Sequence, residues 1–290
     1  VPTIFNDKVT IGDLVFNDLA EYPEGIVGRG WGVDVLDGWR KTPPLDAPYT
    51  EIGLVDGEIP GEFFAAKGKF LNVGGWVHAI DAATADVLWD LIVLGFRRNE
   101  ELVLTRYESI PKFMRVRRVT EVDRVDTSPE SFRWATTVKA GDPFKYALTP
   151  LTGSAGVAGQ SSGGRTYKRT YPLTYATITS GESNAVALTN AGQADSSRFT
   201  VTLSGPLNKG GWRLVNETTN ETIKFDIGLL STDVLEIDFH NEVALLNGAP
   251  VTVTIIGDFF RLVPGVNVLK VYADFDPSAG FDVTGYSAWE

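Results

Sequence analysis

The side chains that titrate or ligate near neutral pH are few: two histidines, His78 and His240, and no cysteine. This rules out a disulfide framework, a thiolate metal site, a cysteine nucleophile and a histidine-rich zinc centre. Acid–base chemistry would fall to carboxylates. Gly159-Gln160-Ser161-Ser162-Gly163 has the form G-x-S-x-G, but a nucleophile elbow needs a strand before the serine and a helix after it. Its flanks are Gly- and Ser-rich instead, so the match reads as a connector. Asp274, Asp276 and Asp282 have the density of a calcium loop without its spacing, since Ala279 and Gly285 stand where an EF-hand needs Gly and Glu. Asp233, Glu236, Asp238 and Glu242 lie in an alternating segment and read as a solvated strand face rather than a glycosidase pair. Trp212 beside two glycines reads as core, and His78 as structural. The sequons at Asn216 and Asn220, in "NETTNET", read as hairpin turn residues. No catalytic set, metal site or cofactor site can be assembled from these residues, and the chain is expected not to be an enzyme.

The elements that carry these residues are mostly strands. "DLVFNDL", "GEFFAAKGKFLNVG", "ELVLTRYE", "FMRVRRVTEVDRV" and "SFRWATTVKA" alternate apolar and polar residues between Gly, Pro, Asn or Asp. After residue 164 the same pattern returns, with turn signals every 8–12 residues of the kind a β-sandwich shows. In "GDFFRLVPGVNVLKVYADFD", Pro264-Gly265 fits the centre of a type II turn. Beyond it, Leu269, Val271, Ala273 and Phe275 should share a buried face. One segment, "DAATADVLWDLIVLGFRRN", is helical: Asp81 or Thr84 is the candidate N-cap, and Arg97 and Arg98 stand at the far end. Its apolar residues go nearly all the way round, which predicts burial on all sides, in the core or under a second subunit.

At 290 residues, two domains are expected, with 43% hydrophobic and 22% charged residues in the globular range. "TGSAGVAGQSSGG", lacking large side chains, predicts the division: a first domain over 1–151, a Gly/Ser-rich linker over 152–164 and a second domain over 165–290. The opening "VPTIFNDKVTIGDLVF" has no basic n-region and does not read as a secretory signal. The longest apolar run is about ten residues with Asp90 inside it, against about 20 for a membrane span, so no membrane insertion is expected.

The 26 Lys and Arg against 37 Asp and Glu leave a net charge of −11, unsuited to general nucleic-acid binding. The charge is unevenly spread. Residues 1–60 hold 11 acidic and 4 basic side chains, whereas residues 61–164 hold 12 and 13. Opposed charge at two ends of one domain fits a head-to-tail contact of the kind that closes rings. The candidate ring interface is therefore Asp34, Asp37, Asp46, Glu51 and Asp56 on one side, with Arg106, Arg115 and Arg117 on the other. Trp89 and Val93 of the helix are expected to supply apolar contact.

The C-terminal third, through "GPL" before a strand, the hairpin "NETTNETIKFD", "DVLEIDFHNEVALLNG" and "DFFRLVPGVNVLKV", resembles the C-terminal domain of distal tail (Dit) proteins of long, non-contractile-tailed bacteriophages. The first part is similar to the same family more loosely, through "VDVLDGW", "TEIGLVDGEIPGEFFAAKGKFLNVGGWV", one helix, "MRVRRVTEVDRV" and "VKAGDPFKYAL". The resemblance implies a mainly β protein of two domains: an N-terminal belt-type domain with one α-helix and a C-terminal galectin-like β-sandwich. It also implies a siphophage tail-tip component in the virion, assembled in the host cytoplasm. There the belt domain forms a ring, usually a hexamer, that joins the tail tube protein to the baseplate hub and receptor-binding apparatus around the tape-measure protein. The alternative is a carbohydrate-binding adhesion module, although the galectin set of sugar-site residues is not found here.

Overall fold

A computed structural model describes residues 7–18, 30–46, 49–51, 58–60, 65–97, 100–159, 184–252, 254–273 and 279–290. Among the described residues the structure is mainly β with one helix, and the chain divides into two compact units, Val1–Leu148 with Glu290, and Thr149–Trp289.

The first unit contains β1 (Val9–Ile11), β2 (Leu14–Phe16), β3 (Gly30–Asp37), β4 (Lys69–His78), α1 (Ala82–Gly95), β5 (Leu102–Arg106), β6 (Lys112–Arg118), β7 (Asp123–Ser128), β8 (Ser131–Ala140) and β9 (Lys145–Ala147). The strands order as β2-β1-β5-β6-β8-β4-β3, with β7 also on β8 and β9 also on β6. All of these pairs are antiparallel. The two ends of this order meet through a side chain. Asn17, just after β2, donates from Nδ2 to the carbonyl of Val33 (2.9 Å), and its Oδ1 accepts from the Val33 N–H (3.0 Å). One amide thus replaces a ladder rung at the bulge between Val33 and Val35, sealing part of an edge that would otherwise be open. Two further two-stranded ribbons, Leu45–Asp46 with Ala65–Ala66 and Tyr49–Glu51 with Glu58–Pro60, lie outside the main sheet.

Asp81 caps α1, its carboxylate accepting from the Thr84 N–H at 2.7 Å. Ala85, Leu88 and Ile92, with Phe96 beyond the last turn, have the i, i+3, i+7 spacing of one stripe and are buried against the sheet. Within the single chain the helix is not buried on all sides. Val87 (49% exposed), Val93 (38%) and Leu94 (54%) lie off that stripe and face outward. Inside the unit, Phe16 meets Trp31 and Trp134 at 4.9 and 5.4 Å between ring centroids, and Phe96 meets Trp134 at 5.6 Å.

The second unit is a two-sheet sandwich of β10 (Leu151–Gly156), β11 (Val186–Asn190), β12 (Phe199–Ser204), β13 (Trp212–Asn216), β14 (Glu221–Phe225), β15 (Val234–Asp238), β16 (Val243–Leu246), β17 (Gly265–Ala273) and β18 (Gly280–Gly285). One sheet runs β10-β18-β12-β15-β16. In the other, β17 lies between β11 and β13, and β14 follows β13. Val201, Leu203, Leu214, Ile223, Leu235, Ile237, Leu269 and Val271 fill one shared core, as alternation predicts. This arrangement is compatible with a galectin-like sandwich.

The connector expected at 152–164 is corrected in its first half. Leu151–Gly156 pairs along its whole length with β18, and Ala158–Gly159 runs parallel to Tyr272–Ala273. Small side chains do not prevent a strand from forming where a neighbouring strand supplies the hydrogen bonds. Residues 160–164, including the serine of the G-x-S-x-G match, lie outside the described residues, as do Asp274, Phe275 and Asp276.

Candidate functional site

Gly265 has φ +94°, as the predicted turn requires, and β17 starts there. Asn267 holds the turn from inside: its side chain accepts from the Val263 N–H (3.0 Å) and donates to the Val263 carbonyl (2.7 Å). Trp212 is core, stacked on Phe225 with centroids 5.6 Å apart, and its Nε1 donates to the Ile227 carbonyl at 2.8 Å. Asn216 is fully buried and caps the Thr218 N–H in the β13–β14 hairpin turn. Asp233 accepts from the Leu230 N–H and from Asn247 Nδ2, and these bonds hold its carboxyl below the usual carboxylate range. Asp238 accepts from the N–H of His240 and of Asn241. His78 shares a 2.8 Å hydrogen bond with Ser131 Oγ, and His240 one of 3.1 Å with Ser197 Oγ. These groups are engaged in turns and strand ends. Among the described residues, no cluster of His, Asp and Glu could hold a metal ion.

The surface of the first unit carries the remaining candidates, and the structure redistributes them. Asp34, at the β3 bulge, is paired with Arg133. Asp37 is bonded by Lys41, which lowers its pKa. Arg106 is buried (4% exposed), with Asp7 at 2.6 Å and Glu108 at 3.3 Å. It is therefore a structural cation within the unit and not an interface residue, because β5 turns its side chain inward. Arg115 is exposed but pairs with Glu101 at 2.9 Å. Arg117 shares its strand face and lies opposite Lys139 of β8. Asp46 and Glu51 belong to the two-stranded ribbons, and Asp56 lies outside the described residues.

Trp89 is half-buried and turned toward the sheet, edge-on to Phe132 at 5.8 Å. The Arg124 guanidinium lies 4.4 Å over Phe132 and binds Asp86 of α1 and Asp126 of β7, tying the helix to the β7–β8 hairpin. Val93 does face outward, and Val87 and Leu94 join it. Beside Leu94 opens an apolar cleft of about 390 Å³ walled by Leu14, Val15, Trp31, Leu91 and Leu102, with Arg97 and Glu100 also lining it. The sequence contained this signal: residues 87 and 94 are seven apart, off the 85-88-92 stripe.

Two buried lysines escape the sequence reading. Lys69 (4% exposed) donates to the carbonyl of Lys41 at 2.8 Å, and Lys145 to that of Trp39 at 3.0 Å. Burial, and then repulsion from Lys145, lowers the pKa of Lys69 to about 8 against the pull of Glu290. Burial lowers Lys145 as well. Lys69 stands in register with the inward residues Leu71 and Val73, which is where its burial could have been read.

Residues 191–284 match the family described as siphovirus-type tail component, C-terminal domain. The whole chain is similar in fold to the SPP1 Dit (gp 19.1) protein, described as a hub adsorption apparatus of phages infecting Gram-positive hosts. The match has 14% identity and a TM-score of 0.62, covering 97% of this chain and 98% of that one. A chain of the phage p2 baseplate in its activated conformation with Sr is also similar, with 12% identity and a TM-score of 0.50 over 96% of this chain and 97% of that one. No curated protein matches by sequence.

Proposed function

We propose that this chain, with a siphovirus-type tail component domain at 191–284 and the distal tail protein fold along its length, forms a ring at the phage tail tip. The observation that carries this reading is that coverage is nearly complete in both directions: 97% of this chain, and not one shared module, has the fold of a protein described as a hub. The ring joins the tail tube to the baseplate hub and receptor-binding apparatus, with the tape-measure protein in its lumen. Six copies is the number the resemblance implies. The role is structural and not catalytic, and the galectin-like second unit lies outside the ring.

The outward face of α1 and the adjoining cleft suit the apolar part of the subunit contact, since exposed apolar side chains in a continuous patch mark interaction sites. Arg106 and Arg115 are engaged with acids of their own subunit and are not assigned to that contact. Negative-stain imaging of purified protein tests the reading. Closed rings are expected, and Leu94→Asp with Val87→Asp should disperse them without unfolding the chain. Uniform single particles for the unaltered protein at micromolar concentration would overturn it.

A further inference from the structure

The outer face of the first unit's sheet carries a knob and a hole side by side. The knob is Phe70 on β4, 56% exposed, with the Lys139 ammonium 5.4 Å from its ring centre. Phe70, Lys139 and Arg117 form one cross-strand row over β4, β8 and β6. Arg117 directly opposite Lys139 puts like charges together, which destabilises a sheet unless an acid answers them. No described residue supplies that acid.

The hole lies four residues along β4, about 13 Å away at about 3.3 Å per residue. Its floor is a second cross-strand row in which Val35, Gly74, Ala135 and Asp123 stand opposite one another over β3, β4, β8 and β7. Gly74 and Ala135 have almost no side chain, whereas Val35 and Val125 stand up as exposed walls, and the depression measures about 610 Å³. Glu121 and Asp123 also line it, exposed and without an ion pair to any described residue.

We infer that this face binds the same face of a second copy of the chain across a two-fold axis between the two rows. Phe70 of each copy enters the Gly74–Ala135 depression of the other. Lys139 and Arg117 of each then reach Glu121 and Asp123 of the other. Among the described residues the two features complement each other in shape and sign: an exposed aromatic beside cations with no acid partner, and a hollow beside acids with no ion pair, where the one lining cation, Arg133, is already held by Asp34. Because both features lie on one face, a two-fold rotation satisfies both at once. A head-to-tail ring contact needs two different faces. The pairing is therefore separate from the ring contact through α1 and does not depend on it.

The chain has no cysteine, so disulfide trapping is unambiguous. The full-length double variant Lys139→Cys with Ala135→Cys keeps Phe70 and places residues one strand over from Phe70 and Gly74 against each other. Oxidised with glutathione disulfide, it is expected to give one covalent species of twice the chain mass. Each single variant should remain at chain mass, since a disulfide needs Cα atoms within about 7 Å. A ladder of three, four and more copies would mean a head-to-tail contact and overturn the two-fold pairing. Failure of the double variant to cross-link would overturn it altogether. Without oxidation, Phe70→Ser should weaken the pairing at least about ten-fold in sedimentation equilibrium, as loss of an aromatic anchor does. Rings built through α1 should survive Phe70→Ser and fail with the Leu94 and Val87 variants, which separates the two readings.

Discussion

The two units bury polar groups in different ways. The second buries amides: Asn190 donates to the carbonyls of Ala194 and Leu262 and accepts from the N–H groups of Gly192 and Ala288. The first buries cations, Lys69, Lys145 and Arg106. A side-chain amide can match both donors and acceptors and carries no charge, so its burial is fully compensated. An ammonium only donates. Lys69 and Lys145 each have a carbonyl, but they also repel each other in a low-dielectric interior. The second unit's interior should therefore be indifferent to pH, while the first unit's is strained whenever both lysines are charged.

Asn190→Ala offers the hardest break of this comparison. It removes the partner of the Gly192 and Ala288 N–H groups and of the Ala194 carbonyl, while the Leu262 carbonyl keeps the Ser196 N–H, at about 1–3 kcal/mol for each buried group left unsatisfied. The transition of the second unit is expected to fall by at least about 3 kcal/mol in urea unfolding, with the first unit's transition unmoved. A loss below about 1 kcal/mol would mean that these bonds do not hold the unit together.

Asn17→Ala is the matching test in the first unit, where an amide is used to close the sheet and not to fill an interior. About 2 kcal/mol should be lost, since both backbone groups of Val33 lose their partner at the closure. Hydrogen exchange at Val33 should accelerate before exchange at Leu71 or Val138, deep in the sheet. Simultaneous acceleration of all three would show that Asn17 supports the whole unit and not its seam.

Lys69→Met sharpens the contrast with the smallest expected effect. The folded pKa of Lys69 lies at about 8, below the ordinary lysine value of 10.5, so between those values the unfolded chain holds more protons than the folded one. Stability must then rise with pH across that window, by at most about 1.4 kcal/mol per pH unit for this group. Between about pH 7.5 and pH 10 the first unit should gain on the order of 1–2 kcal/mol, and Lys69→Met should lose at least half of that gain. If parent and variant have parallel pH profiles, the buried lysine carries no strain.

What could be read from the sequence followed the range of each signal. Alternation identified the strands and their inward residues, and Gly265 adopts the positive φ that Pro264-Gly265 implied, because a turn type is set by two adjacent residues. Asp81 or Thr84 could be named as the helix cap for the same reason, and Asp81 fills that place. The series of short motifs also sufficed to point to the distal tail family, since order and spacing are properties of the chain.

Tertiary structure decided whatever depended on which strands became neighbours. Only register made Leu151–Gly156 a strand, by laying it antiparallel along β18 rather than leaving it as a connector. Only packing showed that one stripe of α1 is buried and Val87 and Leu94 are bare, as composition counts apolar residues but does not assign them a side. The charged candidates separated for the same reason. Whether an arginine is available depends on its distance from acids far away in sequence: Arg106 meets Asp7 across 99 residues, while Arg117 meets Lys139 and no described acid.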